Sequence, residues 1–314
     1  TLPEAHGKPA KIHPWLHPQH PRHTPQAVMP YSLLISAPEL QSLLDSGTPC
    51  MVFDCSFDLA DPASGAQQFL QGHIPGAVYA HLDEHLSAPA HGERVSGGRH
   101  PLPTREAFAA WLAQQGFVAG MQAVVYDRNG SAFCGRLWWM LQWLGHEAVA
   151  VLDGGMQAWT QAGGALEQGP QATRTPGVFQ PSAALRPLAT TAQVLQSLGT
   201  AGQTIIDARA PARYRGEVEP LDPVAGHIPG ALNRPFTDNF GPDGRFKAPA
   251  QLRTEFLALL DGRDPATVVL HCGSGVTANP NVLAMELAGL GRAALYAGSW
   301  SEWCSDPQRP VERG

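Results

Sequence analysis

Charge is scarce in this chain. Asp, Glu, Lys and Arg make up 15% of the residues, acids outnumber bases 27 to 21, and the formal balance is −6. The basic residues are dispersed, so the sequence carries no electrostatic footprint for nucleic acid or for an anionic membrane surface. No apolar run approaches the roughly 20 residues that a membrane-spanning helix needs. Cysteine is sparse too: Cys50, Cys55, Cys134, Cys272 and Cys304 are odd in number and lack a Cys-x-x-Cys pair, which points to neither a disulfide framework nor a zinc site. A reducing cytoplasm is the expected compartment. What the chain does have is size. Its 314 residues, 43% of them hydrophobic, can bury a large core and divide most naturally into two domains.

The first thirty residues are set apart by alternating prolines and histidines, among them His6, His13, His17, His20 and His23. They are expected to form an irregular arm, with Met29 close to the natural start. The arm lacks the apolar segment and small-residue cleavage site of a signal peptide. Clustered histidines can bind a metal, but an arm without a metal is the expectation here.

An internal duplication organises the rest. Gly-His-Ile-Pro-Gly-Ala occurs at 72–77 and again at 226–231. Around each copy the same landmarks recur in order: Met51-Val52-Phe53-Asp54 matches Thr204-Ile205-Ile206-Asp207, and Val124-Val125-Tyr126-Asp127 matches Val269-Leu270-His271-Cys272. Further on, the stretch from Gly154 to Trp159 matches Gly298 to Trp303. Short apolar runs alternate with helical patterns, which predicts an α/β fold with a mostly parallel sheet flanked by helices in each copy. The expected division is an arm at 1–30, a first domain at 31–165, a Gly/Pro-rich linker at 166–188 across which the domains could close, and a second domain at 189–314. The copies differ in one span: 55 residues separate Gly72 from Asp127, but 46 separate Gly226 from Cys272. The surplus predicts a longer loop near 84–100.

Cys272 is the candidate nucleophile. It follows the apolar run Thr267 to Leu270 and precedes a helical stretch, and Gly273 and Gly275 flank it. A loop of that kind turns successive amides inward, so an anion held there is stabilised; the thiol is expected to be exposed and acidic. In the first copy Asp127 stands at that position and cannot carry sulfur, so one active thiol is expected. Cys50, Cys55, Cys134 and Cys304 lack such surroundings and read as filler. The histidines of the two GHIPGA phrases read first as structural, His227 more clearly than His73.

These residues resemble the tandem-domain sulfurtransferases of the rhodanese superfamily over about 31–312. The GHIPGA phrases, Leu152 to Trp159, Gly298 to Trp303 and, above all, Cys272 to Thr277 carry the likeness. The loop has Gly273 and Ser274 where the thiosulfate-using branch has basic residues, which favours the 3-mercaptopyruvate branch. The resemblance implies two rhodanese-like domains, the first inactive and the second catalytic. It implies transfer of sulfur from 3-mercaptopyruvate through a Cys272 persulfide to cyanide or a thiol such as thioredoxin, releasing pyruvate, with neither metal nor organic cofactor. It also implies a proton relay of Ser274 and His73, with Asp61 as a third member, and substrate contacts from Gly273, Gly275, Val276, Thr277 and the carboxylate-binding Arg213. The family's second arginine falls on Asp222, so Arg209, Arg215, Arg94 or Arg99 is expected to substitute, unless donor binding is weaker. Thiosulfate:cyanide transfer and a non-catalytic sulfur-carrier or interaction module are the alternatives. A phosphatase of the same fold would need an arginine six positions after the cysteine, where Ala278 stands.

Overall fold

The computed structural model describes residue 1 and residues 30–314. Apart from its two ends, the expected Pro/His-rich arm lies outside the described residues.

Each copy of the repeat builds a five-stranded sheet whose strand pairs are all parallel. The first holds β1 (Leu34–Ile35), β2 (Cys50–Asp54), β3 (Val78–Tyr79), β4 (Gln122–Tyr126) and β5 (Val149–Leu152) in the order β1-β5-β4-β2-β3. The second repeats that order with β6 (Leu188–Ala189), β7 (Thr204–Asp207), β8 (Leu232–Asn233), β9 (Val268–His271) and β10 (Ala294–Tyr296). Helices α1 (Ala37–Asp45), α2 (Ser64–Gln71), α3 (Arg105–Gln114), α4 (Cys134–Trp143) and α5 (Gly155–Gln161) cover the first sheet. Their counterparts on the second are α6 (Thr191–Gln196), α7 (Pro211–Tyr214), α8 (Pro249–Leu260), α9 (Asn279–Leu287) and α10 (Ser299–Trp303). Central strands such as β4 and β9 are buried throughout, which is why they read as unbroken apolar runs rather than alternating ones.

The two domains share a core. One continuous cluster of buried side chains includes Phe53, Trp138 and Trp139 of the first domain and Leu270, Leu283 and Leu295 of the second. Its seam is α4 packed on α9. All ten residues of α4 are buried, the polar Arg136 and Gln142 included. Gly135 allows the close crossing: a Cβ there would stand 3.2 Å from the Asn279 Cβ and 3.3 Å from the Pro280 Cδ. Each large α4 side chain so enclosed contributes about 2 kcal/mol of burial.

The segment expected to link the domains lies against the first of them. Segment 166–187 is strapped along the first domain: Gln171 accepts from the Tyr79 amide (2.8 Å), Gly177 N donates to Ala113 O (2.7 Å), and Ser182 N donates to Leu144 O (2.8 Å). The surplus of the first copy lies where the spacing placed it, in an irregular stretch between β3 and α3. Arg99, in that stretch, reaches the other domain through its amide, which donates to Ser301 Oγ at 3.0 Å.

Asp127 shows what the strand-loop-helix turn does in the first domain. Its carboxylate is buried and accepts four backbone N–H groups, from Asn129 and Ser131 on Oδ1 and from Phe133 and Cys134 on Oδ2, each at 2.9 Å. The loop is an anion cradle carrying its own anion. Asp127→Ala should orphan these donors and lower stability by about 3 kcal/mol, read as a fall in the urea midpoint. An unchanged midpoint would show that the cradle needs no anion.

Candidate active site

Cys272 directly follows β9, as Asp127 directly follows β4. Unlike Asp127, it leaves the surrounding amides unused. Among the described residues the N–H groups of Gly273, Ser274, Gly275, Val276 and Thr277 have no acceptor, whereas the Cys272 amide donates to Ser299 Oγ at 3.1 Å. Gly275 adopts φ +74°, and a Cβ there would lie 2.1 Å from the Ala297 carbonyl oxygen, so this turn admits only glycine. Contrary to the expected exposed thiol, Cys272 is 1% accessible. It is not among the residues that line the neighbouring cavity of about 220 Å³, whose walls include Gly273, Ser274, Val276 and Thr277 of its own loop, Arg213, and Arg99 and His100 of the first domain.

A chain of polar contacts crosses between the domains at this cavity. Ser274 Oγ lies 2.7 Å from His100 Nδ1, and His100 Nε2 lies 3.3 Å from Asp83 Oδ1. Burial lowers the pKa of His100, helped by the nearby Arg136 and Arg99 cations and opposed by Asp83, so the ring is neutral at neutral pH. The hydrogen bond from His100 holds Asp83 below the usual carboxylate range. With Nε2–H directed to Asp83, Nδ1 accepts the Ser274 hydroxyl proton.

The expected relay histidine is elsewhere. His73 is fully buried, stacks on Phe69 with ring centres 3.7 Å apart, and bonds the Phe69 carbonyl through Nδ1 at 2.7 Å. His227 repeats this arrangement on Tyr214, with centres 3.9 Å apart and a 2.8 Å bond to the Tyr214 carbonyl. Each histidine also pairs its backbone with a glutamate, Glu167 or Glu312, whose carboxylate accepts from Gly76 or Gly230. A geometry made twice, once in each domain, fastens a turn and leaves His73 outside the cavity. Asp61 is exposed near the start of α2, its carbonyl bonded to Ser64 N, and is not among the residues lining the cavity. Ser274 therefore keeps a partner, but His100 and Asp83 occupy the positions expected of His73 and Asp61. The surplus in the first copy was the available signal, since both residues lie at or beside the longer loop.

Arg213 reaches the cavity as expected, and Arg99 joins it. A Cβ on Gly273 would stand 3.3 Å from Arg99 Nη2 and 3.5 Å from Arg213 Nη1. Asp222 bridges the two guanidiniums, at 2.5 Å from Arg99 Nη1 and 3.3 Å from Arg213 Nη2. Burial raises the pKa of Asp222, against the pull of Arg99. Glu219 also holds Arg213, at 2.6 Å. The other arginines considered for the second position are engaged differently. Arg209 is buried on Trp300 and bound to Asp207 and Glu219, Arg215 pairs with Glu217 at the surface, and Arg94 is exposed.

A rhodanese-like domain model matches residues 36–162 and 190–306. The "Probable 3-mercaptopyruvate sulfurtransferase" of Pseudomonas aeruginosa is 49% identical over 284 residues, spanning 90% of this chain and 98% of the relative. The thiosulfate sulfurtransferase of Mus musculus is 32% identical over 295 residues, spanning 90% of this chain and 96% of the relative. Among solved structures, the 3-mercaptopyruvate sulfurtransferase from Leishmania major superposes with a TM-score of 0.76 at 29% identity, covering 89% of this chain and 76% of that one. With both of its domains matched and its whole architecture shared, the chain belongs to the rhodanese family of sulfurtransferases.

Proposed function

We propose that the chain transfers sulfur from 3-mercaptopyruvate through a Cys272 persulfide. The observation that carries this reading is the junction of three features at one cavity: unengaged loop amides around Cys272, the Ser274–His100–Asp83 chain, and two guanidiniums at Gly273. The Cys272 thiolate attacks the donor sulfur, the carbon–sulfur bond breaks, and its electron pair leaves on carbon as the enolate of pyruvate. The proton of the donor thiol passes through Ser274 to neutral His100 Nδ1 and returns through Ser274 to that carbon, which leaves the persulfide as its anion and releases pyruvate. An acceptor thiolate, thioredoxin among the candidates, or cyanide then takes the outer sulfur and returns the Cys272 thiolate. Converging amides suit each anion formed at Cys272 in turn. The described cysteines are all free thiols, as a nucleophile of this kind requires, which fits a reducing cytoplasm.

Arg99 and Arg213 form the donor clamp in this reading, with Arg99 taking the place of the family arginine lost at Asp222. Asp222 aims both guanidiniums and cancels part of their charge. A monoanionic carboxylate can be gripped by the two forks. A dianion such as thiosulfate finds no surplus of positive charge, because Glu219 and Asp222 balance the two arginines.

Exposure to 3-mercaptopyruvate should add one sulfur atom to the intact mass, lost again with an acceptor thiol and absent in Cys272→Ser; a parent chain that gains no mass rejects the persulfide. Arg99→Ala and Arg213→Ala should each raise KM for 3-mercaptopyruvate about tenfold or more, while unchanged steady-state constants in both would remove the clamp. A higher kcat/KM for thiosulfate than for 3-mercaptopyruvate would favour the other donor class.

The two histidines separate cleanly. His100→Ala should cut kcat about a hundredfold, and His73→Ala should lower the melting temperature while leaving kcat of the folded enzyme close to the parent's. Protonated His100 cannot accept from Ser274, so kcat should fall as pH drops through the His100 pKa. Because that pKa is lowered, the fall comes below the ordinary histidine range, and it should vanish in His100→Ala. Loss of kcat in His73→Ala with His100→Ala intact would reverse the assignment.

A further inference from the structure

Every cation that borders the cavity has a carboxylate partner: Arg99 with Asp222, Arg213 with Glu219 and Asp222, Arg209 with Asp207 and Glu219. The titratable rings behave alike, His100 lying against Asp83 and the buried His271 at 3.7 Å from Asp207. Arg136, which is not among the residues lining the cavity, differs. It is fully buried on α4, and among the described residues no carboxylate lies within salt-bridge distance of it. Its guanidinium donates to carbonyls alone: Nε and Nη2 to Leu86 O at 3.3 and 3.0 Å, Nη2 also to His100 O at 2.9 Å, and Nη1 to Gly275 O at 3.0 Å.

Those carbonyls belong to two segments that must meet for the site to exist. Leu86 and His100 lie in the long first-domain loop, and Gly275 lies in the nucleophile loop three residues beyond Cys272. One planar fork therefore ties the proton-relay loop to the thiol loop across the domain boundary. Its charge is the second consequence. A buried guanidinium without a counter-ion costs several kcal/mol, a cost that an adjacent anion offsets. Burial pushes the Arg136 pKa down to about 10, so it is charged at neutral pH, and charge on Cys272 acts in the opposite direction. The coupling is mutual: what a thiolate does for the guanidinium, the guanidinium does for the thiolate.

We propose that Arg136 is a positioning residue for the Cys272 reaction, holding the His100 loop against the nucleophile loop and supplying the uncompensated positive charge against which the Cys272 thiolate and persulfide form. This rests on the assignment of Cys272 as the sulfur-accepting nucleophile. Asp127, in the equivalent place of the first domain, brings its own permanent negative charge to the cradle; in the second domain the negative charge comes and goes, and the cation is fixed.

The test uses the full chain and the pH dependence of Cys272 alkylation by iodoacetamide, resolved from the other cysteines by peptide mass, together with kcat. The parent's alkylation midpoint is the reference against which the variants are read. Arg136→Met should move it upward, slowing alkylation at pH 7 about tenfold, and should lower kcat at least tenfold. Arg136→Lys keeps the charge but not the fork, so its midpoint should stay near the parent's while kcat falls. An Arg136→Met midpoint equal to the parent's overturns the electrostatic role. A merely structural arginine would change melting temperature without moving the midpoint. If Arg136→Met does not fold, Arg136→Lys decides, and parental kcat in the lysine variant overturns the positioning role. Failure of the underlying reading is separate and visible: the parent would gain no sulfur from the donor, whatever its alkylation midpoint.

Discussion

The packing of α4 on α9 is the constraint from which the site follows. These are equivalent helices of the two copies, each starting just beyond a strand-end loop, so crossing them brings the two loop regions toward one another. Their apolar faces cannot be exposed without opening the shared core, and the glycine at Gly135 permits the close approach. Domain association is thus part of folding the chain rather than a later docking of finished parts. A cavity lined mostly by the second domain thereby gains walls from the first, and His100 of the first domain meets Ser274 of the second.

Duplication supplies an internal control for the chemistry. Both copies make a strand-loop-helix turn; one turn closes its amides on the Asp127 carboxylate, and the other leaves the amides after Cys272 without acceptors. The first therefore gains stability from a permanent anion, and the second reserves the same capacity for a transient one. The difference in burial chemistry extends to neighbouring thiols. Cys55 and Cys134 have their pKa values raised by burial and then by Asp127, which keeps them protonated and inert beside the filled cradle.

The repeat, the paired sheets and the place of Cys272 at a strand end were legible in the sequence, because each depends on local pattern or on a phrase that occurs twice. Even the long first-copy loop could be located from spacing. His100 could not be singled out, since its link to Ser274 joins residues 174 positions apart and leaves no periodic trace. His73 attracted attention for the opposite reason: Gly-His-Ile-Pro-Gly-Ala is conspicuous, but its histidine serves a turn that both domains require. Arg136 was hidden within an apolar helix, where sequence pattern registers a polar interruption but not the three carbonyls it would meet.

Charge placement around the cavity divides the labour between recognition and chemistry. At the cavity wall, Arg99 and Arg213 are balanced by Asp222 and Glu219, so in the proposed clamp a carboxylate is recognised by the geometry of two forks more than by a net field. Deeper in, Arg136 has no such balance, and its field acts where solvent screening is weakest. A surplus cation at the mouth would attract any anion, including those that cannot react. Bonded instead to the Gly275 carbonyl, the same charge acts, in the proposed reaction, on the anion that forms on sulfur and leaves the choice of donor to the proposed clamp.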